Sequence, residues 1–459
     1  MKYENIILYE ALTCLYLIGY DNAERNYQII EIDRTIINPT KLYDIIDINN
    51  IKTFNKQQYI TYINSIKEST QSKEDFIKLS TGYGLIGFVK FLDYYYIHII
   101  TQRKLVGNIN NHDIYTIKST EIYPIRPKDT TDDTTTSNTN SSSIHNILIK
   151  TWKHINKRFH QTPEEIAESR YLGLYSFIDM SRDFYYSYTY DLSYSLQINN
   201  TSKPSTNQPH HHKTPPSSTF SSSHSNTSSS SSNSKESQDM FVWNHYQIND
   251  FRSLFSTTTS TTTSPSTNQH PLTSSPSSSS PSPATGAAAG TGAAWCIPII
   301  HGYYQQKQFS LYSRLLSLIL LTRRSRHYAG TRYLKRGINI HGQVANDCEI
   351  EQIIQCDYSI YNMKCISYIQ YRGSIPTYWS QETSVTMPKP PILLSRRDPA
   401  YTATKLHFND LYKRYNQPMI VLDLGQNYDL FVCICVTDVY DWQYTMLHIF
   451  MLNMYMHIY

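Results

Sequence analysis

No C-x-x-C pair occurs among the seven cysteines of this 459-residue chain, which stand at positions 14, 296, 348, 356, 365, 433 and 435. That odd, scattered set fits reduced thiols better than a disulfide framework. Cys433-Ile434-Cys435 is too tightly spaced for the usual zinc pairs, and no second pair accompanies it. No segment reaches ~18 uninterrupted apolar residues, so a membrane-crossing helix is not expected. The start, MKYENIILYE, lacks a basic region followed by an apolar core and cleavage site, so no secretory signal is expected. The net charge of +4 is too small for a whole-surface attraction to nucleic acid, and no nucleic-acid partner is assigned. A phosphate-cradling Cys-x5-Arg loop is also lacking. The residues six positions after each cysteine are Tyr20, Gly302, Ile354, Asn362, Tyr371, Val439 and Asp441. Such a loop needs its arginine beside the thiolate, so no catalytic residue is assigned.

Charge is present locally instead. Between Arg323 and Arg336 stand Arg323, Arg324, Arg326, Arg332, Lys335 and Arg336 with no acidic residue, and Asp347, Glu349 and Glu351 follow. Gly330, Gly337 and Gly342 punctuate the stretch, which therefore reads as short strands and tight turns. Guanidinium groups can grip phosphate oxygens two at a time. Arg323, Arg324, Arg332, Lys335 and Arg336 are accordingly candidate anion-binding residues. Arg372 joins them, because Gly373 and Pro376 force a turn that can hold it outward. The competing reading is a solvated edge, or cations paired internally with the three acids.

Residues 1–127 read as a β-rich unit. Ile6–Tyr9, Leu15–Ile18 and Tyr27–Asp33 are short runs of β-branched residues and Tyr, and Gly87–Thr101 and Asp113–Lys118 look like further strands. Helical spacing predicts a helix over Asn55–Glu68. Residues 128–143 form a low-complexity linker. Thr162-Pro163-Glu164-Glu165 is a capping box that starts a helix to about Asp179, with Ile166, Leu172, Tyr175 and Ile178 near one face. Phe184–Gln197 alternates aromatic and polar residues and suggests a strand. Ser/Thr-rich inserts at 200–238 and 256–292 cannot bury enough apolar surface to order themselves, and His210–His212 within the first are not taken as a metal site. Ile297–Tyr304 and Leu315–Leu321 read as buried strands, His407–Tyr415 as a helix and Met419–Leu424 as a strand.

The wording of several segments is more specific than their periodicity. RRSRHYAGTRYLKRG followed by RGSIPTYWSQ closely resembles the Sac-domain phosphoinositide phosphatases. So do LYEALTCLYLIGY, GLIGFVKFLDYYYIHIITQRK, SYTYDL…SLQ, the Trp243-Asn244 pair and MPKPPI. The resemblance is nearest the endolysosomal branch, which removes the 5-phosphate from phosphatidylinositol 3,5-bisphosphate.

It implies an α/β fold: a β-rich N-terminal Sac subdomain at 1–127 packed on a truncated, cysteine-phosphatase-like catalytic core at 144–425, with disordered inserts. Residues 426–459, with no Lys or Arg, form a divergent tail. In the family the Cys-x5-Arg loop lies beyond the segment matching MIVLDL, so the chain is expected to be C-terminally incomplete and inactive. The implied partners are a phosphoinositide lipid, the endolysosomal membrane surface, a lipid kinase and a scaffold protein. The implied location is cytoplasmic, peripheral on endosomal, lysosomal or vacuolar membranes. Mg2+ dependence is implied for the branch, with no ligand nameable here. A non-catalytic Sac-fold scaffold, or a phosphoinositide-binding subunit of a lipid kinase complex, is the alternative.

Overall fold

Alternation of apolar residues organises the N-terminal sheet. Strands β1 (Asn5–Glu10), β2 (Cys14–Tyr20) and β3 (Tyr27–Asp33) put Ile6, Leu8, Leu15, Leu17, Ile30 and Ile32 into one buried cluster. With β4 (Lys52–Phe54) and β5 (Ile77–Gly82) they form an antiparallel sheet in the order β4-β3-β2-β1-β5. Helix α1 (Lys56–Ser69) buries Ile63 in a second cluster with Ile18 and Ile29, and its Tyr59 stacks on Tyr27 at 4.4 Å between ring centroids. The predicted strands and helix therefore form nearly where the sequence places them.

The computed structural model describes residues 2–69, 76–127, 162–201, 239–256, 292, 294–312, 314–331, 334–356, 364–382, 390–415, 419–422 and 433–436. The linker at 128–143, His210–His212, Arg332 and nearly all of the two inserts and the tail lie outside those residues. Two compact units divide the chain. The first comprises Met1–Ser205, Phe241–Arg323 and Ile350–Gln370; the second comprises Thr206–Met240, Arg324–Glu349 and Tyr371–Tyr459.

An eight-stranded sheet follows the first. Its strands are β6 (Gly84–Lys90), β7 (Tyr95–Ile109), β8 (His112–Ile125), β9 (Phe184–Tyr186), β10 (Ile300–Leu311), β11 (Arg314–Arg324), β12 (Cys348–Cys356) and β13 (Lys364–Arg372), in the order β13-β12-β11-β10-β9-β8-β7-β6. The run Gly87–Thr101, expected as one strand, divides at Phe91–Tyr94 into the β6–β7 hairpin. The expected strand over Phe184–Gln197 survives only as β9. Past Tyr186 the chain turns, with Asp191 Oδ1 accepting from Ser193 N at 3.0 Å, and its Tyr188 and Tyr190 are buried without a ladder partner. Aromatic alternation there reflects packing of a loop, not a pleat.

Helix α2 (Pro163–Ser176) begins at the predicted capping box, with Thr162 Oγ1 accepting from Glu165 N. Its buried face is polar. Glu168 is buried and accepts from Leu92 N at 2.9 Å and Asp93 N at 3.2 Å, whereas Ile166 and Ile178 are exposed. Short α3 (Leu196–Thr201) and α4 (His245–Ser256) complete the first unit, α4 burying Ile248, Phe251, Leu254 and Phe255. Ahead of α4, buried Asn244 donates to Ile86 O at 2.8 Å and Ile297 O at 2.9 Å and accepts from Ile299 N at 3.0 Å. One side chain thus satisfies three buried backbone groups from two separate segments.

In the second unit, β14 (Trp379–Gln381) pairs with β15 (Ile392–Leu394), and β16 (Met419–Leu422) with β17 (Cys433–Val436). Helix α5 (Thr402–Tyr415) starts five residues before the predicted His407, because Asp398 Oδ2 accepts from Ala403 N at 3.1 Å and caps it. Its Ala403 packs on Ile338 and Val344, and its Phe408 and Leu411 form a further cluster with Tyr371.

Candidate functional site

The basic stretch separates into buried and exposed cations. Strand alternation sends Arg323, near the end of β11, into the core of the first unit, where it is 0% exposed. Its Nη2 lies 2.6 Å from Glu351 Oε2 and 2.8 Å from Tyr194 O, and its Nε donates to Leu192 O. Glu351 Oε1 accepts from Leu196 N at 2.8 Å. All five guanidinium protons cannot be satisfied by one carboxylate, so the two carbonyls share the task. This cation is internal, so Arg323 is not one of the anion-binding residues the sequence suggested: strand parity turns it inward and Glu351 neutralises it.

Arg324 begins the second unit half-buried. Its Nη2 donates to Gly330 O at 2.8 Å and to Asn346 Oδ1, closing the loop between them. Arg326 Nε donates to Asp239 O at 3.1 Å, and its amide to Met240 O at 2.8 Å. Arg336 is half-buried with its guanidinium 5.3 Å from the Trp379 ring centroid, and Lys335 is exposed with Nζ 5.0 Å from that of Tyr328. Arg372 is exposed.

The basic loop and the RGSIPTYWSQ segment are tied together by backbone. Gly337 N donates to Ser374 Oγ at 2.9 Å, Ile338 N to Thr377 O at 3.0 Å and Ser374 N to Ala345 O at 3.2 Å. Gly337 has φ +69°, and a Cβ there would stand 2.5 Å from Thr377 O. Only glycine accepts both the backbone conformation and the approach. The junction brings the neighbourhoods of Arg336 and Arg372 together although thirty-five residues separate them in sequence.

Behind this loop lies a buried ionisable cluster. Asp347 is buried and Glu349 accepts from the Tyr415 hydroxyl. Arg414 reaches Asp410 at 2.8 Å and the Tyr415 hydroxyl at 3.2 Å, with Tyr371 5.4 Å below its guanidinium. Burial pushes the Asp347 carboxyl up to about 7, against the nearby Arg414 charge and the Tyr371 hydroxyl. Burial likewise lowers His407, whose Nδ1 lies 3.1 Å from Gly342 O, to about 4, with Arg414 adding to the shift. The sequence pattern pointed to the three acids as a set. It did not show that Tyr371, Arg414 and Tyr415 meet Asp347 and Glu349 while Glu351 turns to Arg323, since those residues lie on β13 and α5 with no spacing signal linking them to Asp347.

A divalent cation has no evident seat among the described residues. Among those residues no group of three or more His, Cys, Asp or Glu could hold a metal ion. Glu351 and Glu349 already accept from Arg323 and Tyr415. Nor does a nucleophile emerge among the described residues. Cys296 is buried, which pushes its thiol up to about 11, and Cys365 is half-buried against the cluster containing Ile353.

The SacI homology domain profile matches residues 83–428. Phosphatidylinositol-3-phosphatase SAC1 of Arabidopsis thaliana is 31% identical over 92% of this chain, which covers 36% of that relative. Phosphoinositide phosphatase SAC5 of the same plant is 30% identical over 91% of the chain and 41% of the relative. The Polyphosphoinositide phosphatase of Schizosaccharomyces pombe is 28% identical over 91% of the chain and 39% of the relative. The chain therefore spans less than half the length of these curated relatives. The matched range runs through both the eight-stranded sheet and the basic loop with its RGSIPTYWSQ partner, and on that ground the chain belongs to the SacI homology domain family of phosphoinositide phosphatases.

Proposed function

We propose that this chain recognises the headgroup of a polyphosphoinositide, as a member of the branch acting on the 5-phosphate of phosphatidylinositol 3,5-bisphosphate, and does not itself turn the lipid over. The observation that carries the reading is the Gly337–Ser374 junction, which sets exposed Lys335 and Arg372 and half-buried Arg336 about one glycine-bearing loop. Cations of this kind suit ring phosphates whose positions are fixed by the inositol. Turnover by a thiolate needs the Cys-x5-Arg loop, which no cysteine of this sequence supplies.

The relatives' names speak of phosphatidylinositol-3-phosphatase and polyphosphoinositide phosphatase activity, which supports a phosphorylated inositol as ligand. The peripheral endolysosomal or vacuolar location and the lipid kinase and scaffold partners rest on resemblance and belong to the same proposal; the Mg2+ dependence of the branch belongs to turnover and is not carried to this chain. A second reading, a non-catalytic Sac-fold subunit of a lipid kinase complex, rests on the same resemblance. Short-chain phosphatidylinositol 3-phosphate and 3,5-bisphosphate, assayed for binding by calorimetry and for phosphate release, test the proposal. Binding with preference for the bisphosphate and no release supports the proposal. Phosphate release overturns the non-catalytic part, and absence of any headgroup preference overturns the recognition.

A further inference from the structure

Hairpin β10–β11 carries an apolar end that the fold of the first unit does not use. Strand β9 pairs with β10 only at Ile300 and His301, and among the described residues no other strand takes that edge. The last neighbour along it is the end of β7, where Gln306 Oε1 accepts from Asn108 N at 2.9 Å. Beyond that point every residue from Lys307 to Leu311 is exposed. Five residues of strand extend roughly 17 Å.

The register makes this end two-faced. Lys307 opposes Leu318, Phe309 opposes Leu316 and Leu311 opposes Arg314, so these six share one face. The alternate pairs, Gln308 with Ser317 and Ser310 with Leu315, form a mostly polar reverse. Phe309 is 39% exposed, Leu311 49% and Leu318 38%, and Tyr312 in the turn is 90% exposed at φ +49°. A bulky residue in the left-handed region with its ring wholly in water gains nothing from the fold around it. Charge selects among covers for this face. From Ile300 to Leu321 there is no acidic residue, and Lys307 and Arg314 bracket the apolar positions. An aromatic and aliphatic face edged by cations suits the interfacial layer of an anionic bilayer, where apolar groups enter about 5–10 Å and cations meet lipid phosphates.

We propose that the end of the β10–β11 hairpin is a membrane-surface contact, with Phe309, Leu311, Leu316 and Tyr312 entering an anionic bilayer and Lys307 and Arg314 on its headgroups. The inference extends the lipid reading above, but its binding energy comes from bulk lipid and not from a phosphoinositide.

The test uses the full chain and vesicles of phosphatidylcholine, with and without phosphatidylserine, and no phosphoinositide. Co-sedimentation should rise with phosphatidylserine and fall with salt. Phe309→Gln with Leu311→Gln should weaken it ~10-fold or more, and Lys307→Gln with Arg314→Gln should remove its dependence on phosphatidylserine. Thermal unfolding of each variant checks its fold. Tyr312→Trp, a turn substitution that keeps an aromatic ring, should be quenched by brominated lipid beyond the quenching of the wild-type tryptophans. Failure of the wild type to bind phosphatidylserine vesicles overturns the proposal, as does equal binding by the folded Gln double variant. Quenching of the Tyr312→Trp variant no greater than that of the wild type overturns it too. A dimer in solution that the Gln pair dissolves without changing vesicle binding assigns the face to a second copy instead. Short-chain headgroup binding is measured without vesicles, so either reading can fail alone.

Discussion

Arg323 and Glu351 form an ion pair in which both side chains are wholly buried, Nη2 to Oε2 at 2.6 Å. The pair fastens three distant pieces of chain. Arg323 holds the carbonyls of Leu192 and Tyr194, and Glu351 the amide of Leu196, so the SYTYDL…SLQ loop is bound to strands β11 and β12. Segments that look unrelated in sequence share one polar core.

Breaking this pair from one side leaves a buried charge with no counterion, which costs about 3–5 kcal/mol. Glu351→Gln should therefore destabilise the protein by that order in urea unfolding. Replacing both by apolar residues of similar volume, Arg323→Met with Glu351→Leu, should cost clearly less than the sum of the single variants. Equal additivity would show that the two charges do not depend on each other.

The same pair shows how far the sequence could be read. The alternating strands of the N-terminal sheet, the capping box at Thr162 and the turn glycines announce themselves within a few residues. Arg323 does not: its place in a run of six cations suggested a surface, whereas strand parity and the remote Glu351 put it inside. Phe184–Gln197 failed for a related reason, since its tyrosines are buried by partners elsewhere in the chain and not by strand pairing. The polar buried face of α2, centred on Glu168, also depends on a turn seventy-five residues away. Local period cannot encode such contacts.

Asp347 and His407 impose opposite pH dependences on the second unit. Burial raises Asp347 in the folded state to about 7, so its contribution to stability is full below the unfolded value near 4 and is lost as pH rises through about 7. His407 is lowered to about 4, so its contribution is full above the unfolded value near 6.5 and is lost as pH falls towards about 4. Relative to wild type, Asp347→Asn should gain roughly 1.4 kcal/mol per pH unit between pH 4 and 7. His407→Gln should change in the other direction between pH 4 and 6.5. Denaturant unfolding of the three proteins across that range checks both slopes, and parallel curves would refute the assignments.

Gly337 holds the basic loop against the RGSIP segment in a conformation that side chains resist. Its φ of +69° costs a non-glycine residue on the order of 1 kcal/mol, and a Cβ only 2.5 Å from Thr377 O adds a clash with backbone that cannot swing aside. Gly337→Ala should destabilise by more than ~1 kcal/mol and weaken headgroup binding, because the Ser374 hydroxyl loses the amide that donates to it. Gly173, whose Cβ would meet nothing within 4 Å, is the control: Gly173→Ala in α2 should be neutral or stabilising by up to ~1 kcal/mol.

Equal changes of charge should have unequal consequences along the basic run. Lys335 and Arg372 are exposed, so Lys335→Gln and Arg372→Gln should each move stability by no more than ~0.5 kcal/mol. Arg323→Gln removes the same single charge but strands Glu351 in the core and should cost about 3–5 kcal/mol. Headgroup binding should rank them in reverse. The two surface variants should lose affinity for phosphatidylinositol 3,5-bisphosphate and some of its salt dependence, since each removes a cation that a phosphate can reach. Arg323→Gln protein that remains folded should keep both, because the wild-type guanidinium already lies between two carbonyls and a carboxylate. If folded Arg323→Gln lost binding as strongly as Arg372→Gln, the division of the run into internal and ligand-facing cations would be wrong.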